Sequence, residues 1–323
     1  MHKNRKIASF KQGIFLLNNL LYVIGKMLGS VKHHYVPQLY LRGFTADNGR
    51  LQVFDKKYKH FKEDKQTPKT VLFEKHRNTI EVKGIRTDKV EKLYSSIETP
   101  LGQFFDHVRK GITQEELISD NGIYLLKIFV ATQFWRMPLL DEFADSYIQK
   151  LDLSRFGDRI TVNGVPLGEV KEIIQLIENN KGFRHYFRSF YLPLLTFDLR
   201  VHKDDFHFWR LHTVSPEFSG WDNFLTGDNP LLVEDIAEMF AFKSKFILPL
   251  SKTQLVTYSL SAKNHDDFPP IFSTKLAMAM NSQSQSYLVG ANREYMERII
   301  ELQESMYGAE GLLKLRDELF EYI

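Results

Sequence analysis

Two adjacent histidines, His33 and His34, are the residues of this chain best suited to chemistry. A histidine can act as a general base near neutral pH or ligate a metal ion through one ring nitrogen. Pro37 pushes Val36 into extended geometry and can begin a short helix that Gly43 ends. Neighbouring side chains on an extended segment point to opposite faces. We therefore expect one ring to serve a site while the other holds the backbone or a carboxylate; the alternative is a packed, hydrogen-bonded pair.

Carboxylates elsewhere in the chain are candidates for a metal site beside the histidines. Glu98 follows Glu91 by two helical turns and lies on an otherwise apolar face, so it needs a partner such as a histidine of the pair or Arg136. Asp228 belongs to a Gly-Asp-Asn-Pro turn after a predicted strand. It either closes that turn through its side chain or projects into a cleft and binds a metal ion.

Glu74, His76 and Asn78 alternate along one segment. On a strand, alternate side chains share a face, so these three residues are expected to supply further ligands, with Glu74 as a metal ligand. Alternate polar residues on a strand also commonly face water, and this is the competing interpretation.

Substrate contacts are expected from Arg136, Asn229, Asn281 and a basic stretch. The Arg136 guanidinium could bind a phosphate through two hydrogen bonds, although an ion pair with Glu98 or Asp228 explains it equally well. The basic stretch is either a solvated hairpin or a surface that contacts nucleic-acid phosphates. Its members are Lys56, Lys57, Lys59, Lys62, Lys65, Lys69, Lys75 and Arg77.

The composition is that of an ordinary globular chain of 323 residues, with 43% hydrophobic residues available for a core. The formal net charge is +3, but residues 1–32 hold six basic and no acidic residues. The rest of the chain therefore has no net positive charge that would attract nucleic acid. Cysteine is absent, which excludes disulfides and thiolate sites. We expect a cytoplasmic location, with export as the alternative that an absence of cysteine also permits. The phosphate-binding loop, the dinucleotide fingerprint, the Gly-x-Ser-x-Gly elbow and the His-Glu-x-x-His motif are also absent.

The hydrophobic pattern changes from strands to helices and back again. Strands are predicted within residues 49–82 and 207–260, and helices at residues 88–111, 123–135, 167–177, 183–195, 273–288 and 293–319. The last of these is either one helix or two helices separated near residues 308–311. This order predicts an α+β fold with a small, mostly antiparallel sheet, a large helical part and C-terminal helices. We expect one domain over residues 27–323, with a helical insertion at about residues 88–200.

Residues 1–26 combine a basic start with an apolar run that is too short to span a membrane as a helix. We expect a leader or an upstream extension outside the fold, with an amphipathic helix of the fold as the alternative.

Several of these segments together resemble one family. They are KHHYVPQLYLRGF at residues 32–44, LQVFD at 51–55, the helix with Glu91 and Glu98, Arg136, FLTGDNP at 224–230, FILPLS at 246–251 and the helix around Asn281. From about residue 30 to 292 the chain is thus similar to the bacterial family catalogued as domain of unknown function 4238. The resemblance implies that these segments share one fold and that residues 1–26 lie outside it.

The string His-His-x-x-Pro also resembles the first histidine of the HNH, or His-Me finger, nucleases. In that group the histidine activates water while a metal ion stabilises the leaving phosphate group. Such a finger is a hairpin followed at once by a helix, whereas here a short predicted helix comes before the strands.

The leading hypothesis is a metal-dependent phosphodiesterase or nuclease using Mg²⁺ or Mn²⁺. In it His33 or His34 is the base, Glu98, Asp228 and Glu74 hold the metal, and the basic stretch contacts phosphate. The alternative is a non-catalytic protein that binds a ligand or partner, in which these residues form a structural polar network.

Overall fold

The structure is a computed structural model that describes residues 31–63, 65–82, 85–159, 161–162, 164–214, 224–261, 268–308 and 311–323. The segment expected to be a leader, residues 1–26, lies outside the described residues. The strands are β1 Lys32–His34, β2 Gln52–Asp55, β3 His60–Phe61, β4 Phe73–Lys75, β5 Ile80–Val82, β6 Ile85–Thr87, β7 Thr161–Val162, β8 Val165–Pro166, β9 Trp209–Thr213, β10 Thr226–Gly227, β11 Leu232–Val233, β12 Phe246–Pro249, β13 Gln254–Tyr258 and β14 Tyr287–Gly290.

The α-helices are α1 Gln38–Leu41, α2 Lys89–Arg109, α3 Gln114–Leu117, α4 Asp120–Arg136, α5 Asp141–Gln149, α6 Lys171–Asn179, α7 Lys181–Thr196, α8 Asp205–Phe208, α9 Ile236–Met239, α10 Pro270–Gln283, α11 Arg293–Met306 and α12 Leu312–Phe320. Short 3₁₀ turns cover Arg42–Phe44, Pro138–Leu140, Leu153–Arg159 and Leu167–Glu169.

The strands form small antiparallel sheets. One has the order β10-β14-β2-β3 and another the order β11-β12-β13-β9, while β1 pairs with β4, β5 with β6 and β7 with β8. Strands from the first and second halves of the chain therefore meet in one sheet, where β14 pairs with β2. The predicted α+β class is confirmed, with several small antiparallel sheets beside a large helical part.

Helix α4 is the centre of the helical part, which explains its nearly continuous apolar sequence. It packs against α7 and α2, and its Phe129 and Trp135 are fully buried. The Phe129 ring lies 5.3 Å from the Tyr40 ring and 4.8 Å from the Phe105 ring, so α4, α1 and α2 share one aromatic core. Truncating such a ring to alanine typically costs about 3–5 kcal/mol of folding free energy.

Most predicted helices are present close to the expected bounds, including α2, α4, α7 and the pair α11 and α12. The prediction of a helix through residue 288 is wrong, because α10 ends at Gln283 and Tyr287 begins β14. The physical reason is long-range, since the Asp228 carboxylate accepts the backbone N–H groups of Gln285 and Ser286 and the chain then pairs with β2. Within the described residues, none of the helices combines the length and the apolar character needed to cross a membrane.

Candidate functional site

The two histidines of β1 occupy different surroundings, as their alternation predicts. His33 is fully buried, and its Nδ1 accepts a 2.7 Å hydrogen bond from the backbone N–H of Asn78. His34 lies beside Phe73, with ring centroids 5.6 Å apart, and its Nδ1 is 3.3 Å from the Gln38 side-chain nitrogen. The Nδ1 atom of each ring therefore has a hydrogen-bond partner.

Asn78 connects His33 to a second histidine, His185, on α7. The Asn78 amide nitrogen donates to Glu91 Oε2 at 2.8 Å, and its Oδ1 lies 3.4 Å from His185 Nε2. Because a carboxylate only accepts, the amide nitrogen must face Glu91, and Oδ1 is left to accept from His185. The neutral His185 ring is thereby held with its proton on Nε2 and a lone pair on Nδ1. Such an Nδ1 atom is a base or a hydrogen-bond acceptor.

The charge next to His185 is organised around Asp141. Arg77 donates to both Asp141 oxygens, at 2.6 and 3.1 Å, and Arg188 donates to Asp141 Oδ1. Burial acts to raise the pKa of Asp141, but the hydrogen bonds from Arg77 and the charge of Arg188 hold it below its usual range. Burial first, and then the charges of Arg188 and Arg77, lower the pKa of His185 to about 3. At neutral pH His185 is therefore an uncharged imidazole between fixed guanidinium groups.

These groups line a cleft of about 630 Å³ between the β4–β5 segment, α5 and the start of α7. Its volume lies within the range of about 300–1,000 Å³ that is typical of small-molecule sites. The lining residues are mostly charged or polar: Glu74, Arg77, Thr79, Ile80, Glu81, Asp141, Glu142, Asp145, Ser146, Ile148, Gln149, Lys181, Gly182, Arg184, His185 and Arg188.

Glu98 on α2 and Arg136 on α4 form an ion pair. Arg136 donates to Glu98 Oε1 at 2.5 Å, and its guanidinium lies 4.1 Å from the centre of the Tyr94 ring. Burial first, and then the Arg136 charge, lower the pKa of His34 to about 4, while Glu98 acts in the opposite direction. His34, Glu98 and Arg136 are thus brought together, and the partner that Glu98 was expected to need is Arg136.

Asp228, Asn229 and Asn281 meet at a second place, around the end of α10. Asp228 is buried and accepts backbone N–H groups of Gln285 at 2.9 Å and Ser286 at 2.5 Å. Burial raises the pKa of Asp228, although these two donors and the Lys56 charge oppose the shift. The Asn229 carbonyl accepts from Gln283, and Asn281 donates to Gln303 Oε1 at 2.9 Å. These contacts hold α10 against β10 and α11.

The three predicted metal ligands each have another partner. Glu98 pairs with Arg136, Asp228 accepts backbone amides, and Glu74 accepts from Arg77 at 3.0 Å. Throughout the part of the chain that the structure describes, His, Asp and Glu side chains do not assemble in threes or more with the arrangement of a metal site. The expected shared face of Glu74, His76 and Asn78 is not formed, because β4 ends at Lys75 and His76 has a positive φ of 58°.

The basic stretch is not one uniform surface. Lys56 Nζ donates to the Asn281 carbonyl, Lys62 lies over the Tyr287 ring at 4.0 Å, and Arg77 is buried against Asp141. The side chains left to solvent are Lys57, Lys59, Lys65, Lys69 and Lys75.

Comparison with known proteins adds a family. A family model described as "Protein of unknown function (DUF4238)" matches residues 32–197, about half of the chain. The chain belongs to this family. The match includes both histidines, Asn78, Glu98, Arg136 and His185, whereas the Gly-Asp-Asn-Pro turn lies beyond the matched residues. No curated protein and no solved structure matches the chain significantly.

His185, Arg188 and Asp141 were missed by reasoning from the sequence. A signal was present in the sequence, since His185 and Arg188 are three residues apart and share one face of a helix. That segment was predicted to be helical, but none of its residues was assigned to a site. Their common setting becomes visible only when α5 and the β4–β5 segment are placed opposite α7, because these elements are separated from one another along the chain.

Proposed function

We propose that this chain is a binding protein for a small, polar ligand, which it takes up in the cleft between the β4–β5 segment, α5 and α7. The observation that carries the proposal is the cleft itself, whose volume suits a small molecule and whose wall holds a neutral histidine among fixed charges.

The residues first singled out by type are better explained as support for this cleft. His33 and Asn78 are buried and hold His185 from behind, and Arg136 is buried against Glu98 and Tyr94. Buried polar groups with satisfied partners stabilise one arrangement of a fold. Their role in the proposal is therefore to orient the cleft wall rather than to touch the ligand.

A screen of polar metabolites by thermal shift, followed by calorimetric titration of the hits, tests this proposal. Ser146 is exposed and lines the cleft, so Ser146→Trp should fill it and abolish binding. Ser305 is exposed on α11, away from the cleft, and Ser305→Trp is the matched control. Binding that survives Ser146→Trp in a folded protein would reject the cleft as the ligand site.

A second candidate function is phosphodiester hydrolysis, assisted by Mg²⁺ or Mn²⁺, with nucleic acid as the substrate class. One observation favours it: Asn78 orients the His185 ring so that Nδ1 carries a lone pair that can accept a proton, although burial and the neighbouring guanidinium charges make this nitrogen a weak base. In this scheme the exposed lysines of the basic stretch contact phosphates. The predicted ligands Glu98, Asp228 and Glu74 have the separate partners described above, so an exposed carboxylate of the cleft that is not paired with an arginine, such as Glu142, would have to hold the metal.

Hydrolysis of a chromogenic phosphodiester and of DNA and RNA, with Mg²⁺ or Mn²⁺, tests this second candidate. His185→Gln should lower the rate by about 10²–10⁴-fold if the imidazole is the base. Activity that is unchanged in His185→Gln, or that is lost only in His33→Ala, would assign the chemistry elsewhere.

Two broader proposals accompany these. We propose that residues 27–323 form one domain in which residues 88–200 are a helical insertion. This proposal is supported by one continuous cluster of buried hydrophobic residues, which includes Val36, Phe129, Phe187 and Val289. We also propose a cytoplasmic location, supported by the absence of cysteine.

A further inference from the structure

The charged residues of the cleft differ in exposure according to the sign of their charge. The guanidinium side chains are only 6%, 10% and 4% exposed, and they belong to Arg77, Arg184 and Arg188. The carboxylates paired with them are 49%, 49% and 34% exposed, and they belong to Glu74, Asp141 and Asp145. The arginine charges therefore lie behind the wall, and the carboxylate charges face the solvent in the cleft.

The buried guanidinium groups already use their hydrogen-bond donors within the protein. Arg188 donates to Asp141 and to the carbonyl groups of Trp135 and Met137, the last at 2.7 Å. Arg184 likewise donates to Asp145 and to the carbonyl groups of α6. An anionic ligand would have to break these bonds before it could use either arginine, and a buried donor that loses its partner is costly.

Acceptors, in contrast, remain available on the wall. Glu81 and Glu142 line the cleft with exposed side chains. His185 adds a neutral acceptor, because its proton is held on Nε2 by Asn78. The exception is Lys181, an exposed ammonium group on the same wall. A surface of spaced acceptors is complementary to a ligand with several N–H donors.

We propose that the cleft binds a small organic cation with two or more amino groups, an inference that rests on the proposal that the cleft is the ligand site. The carboxylates are distributed along the wall, and within the described residues they do not converge as the ligands of one metal ion do. A molecule with separated positive charges matches this distribution better than a single compact ion. The polyamines are the chemical class with these properties.

Calorimetric titration of the full chain with spermidine, at one fixed ionic strength, tests the proposal. The double variant Glu81→Gln, Glu142→Gln removes two exposed charges of the cleft without breaking an arginine pair. The control, Glu301→Gln, Glu304→Gln, removes two exposed charges from α11. The cleft variant should bind spermidine about fivefold more weakly than the control, which should match the unsubstituted chain.

A titration with pyrophosphate under the same conditions distinguishes failure of the cation proposal from failure of the cleft as the ligand site. Equal weakening in both double variants, or no binding of spermidine to the unsubstituted chain, overturns the cation proposal. Binding of pyrophosphate that Ser146→Trp abolishes also overturns it, but leaves the cleft as the ligand site. The proposed function itself fails only if no compound in the wider screen binds in a manner that Ser146→Trp disrupts.

Discussion

The side-chain Oδ1 of Asn78 lies 3.4 Å from His185 Nε2 and selects the tautomer of that histidine. It can do so because the Asn78 side-chain nitrogen donates its hydrogen bond to Glu91. The same residue donates its backbone N–H to His33. A single asparagine thus joins β1, α2 and α7 behind the cleft. Its substitution should disturb stability and the protonation of His185 together.

Asn78→Asp should destabilise the fold and raise the pKa of His185. The substitution places a second carboxylate against Glu91 and removes the donor that satisfies it, which we expect to cost about 1–3 kcal/mol. Urea unfolding gives the stability change, and NMR titration of the imidazole gives the pKa. Asn48→Asp, in an exposed turn, is the control and should change neither quantity. An unchanged unfolding curve would show that the Asn78 network is not formed in solution.

Stability should fall as the pH is lowered from about 6.5 toward 4.5. The pKa of His34 is lowered to about 4 and that of His185 to about 3, mainly by burial, whereas both should titrate near 6.5 in the unfolded chain. The unfolded chain therefore takes up protons first, and the stability that the neutral rings contribute above pH 6.5 is lost as the pH falls.

Each of these histidines can contribute a slope of at most about 1.4 kcal/mol per pH unit in this window. Urea unfolding at several pH values measures the slope. His34→Gln and His185→Gln should each make it shallower, and His60→Gln, at an exposed position, should not. A slope that is the same in all four proteins would contradict the assigned burial of the two rings.

Glu98→Gln should destabilise the fold by about 1–3 kcal/mol, because the Arg136 guanidinium, only 3% exposed, would lose its charged partner. It should also lower the pKa of His34 further, since Glu98 favours the protonated ring. Thermal melts and an NMR titration measure the two effects. Glu115→Gln, in an exposed part of α3, should leave the melting temperature within experimental error.

The pair of Lys127 and Asp205 offers a test of the helical core. The two side chains are 2% and 5% exposed, and Nζ lies 2.7 Å from Asp205 Oδ2. Lys127→Met should cost about 3–5 kcal/mol, because it leaves a buried carboxylate without its cation. The double variant Lys127→Met, Asp205→Leu should recover much of this loss. Chemical unfolding of the two single variants and the double variant completes the cycle, and strictly additive losses would contradict a direct pair.

Residue types and local spacing were sufficient to identify which segments of this chain carry the polar groups. The histidines of β1, Glu98, Arg136 and Asp228 all lie in buried or half-buried networks, as charged residues next to apolar faces must. Their grouping could not be read from the sequence. Glu98 and Asp228 were assigned to one metal site, but the first pairs with Arg136 and the second holds the end of α10.

The amino-acid sequence by itself determined the α+β class and most helices, because hydrophobic periodicity and helix ends depend on residues close together in the chain. The family follows separately from the sequence match over residues 32–197. Only the tertiary structure decided that α10 ends at Gln283 and that His185 stands opposite Asp141 at a cleft. Both outcomes depend on contacts between distant segments, whose pairing is selected by the packing of the whole core and leaves no local pattern.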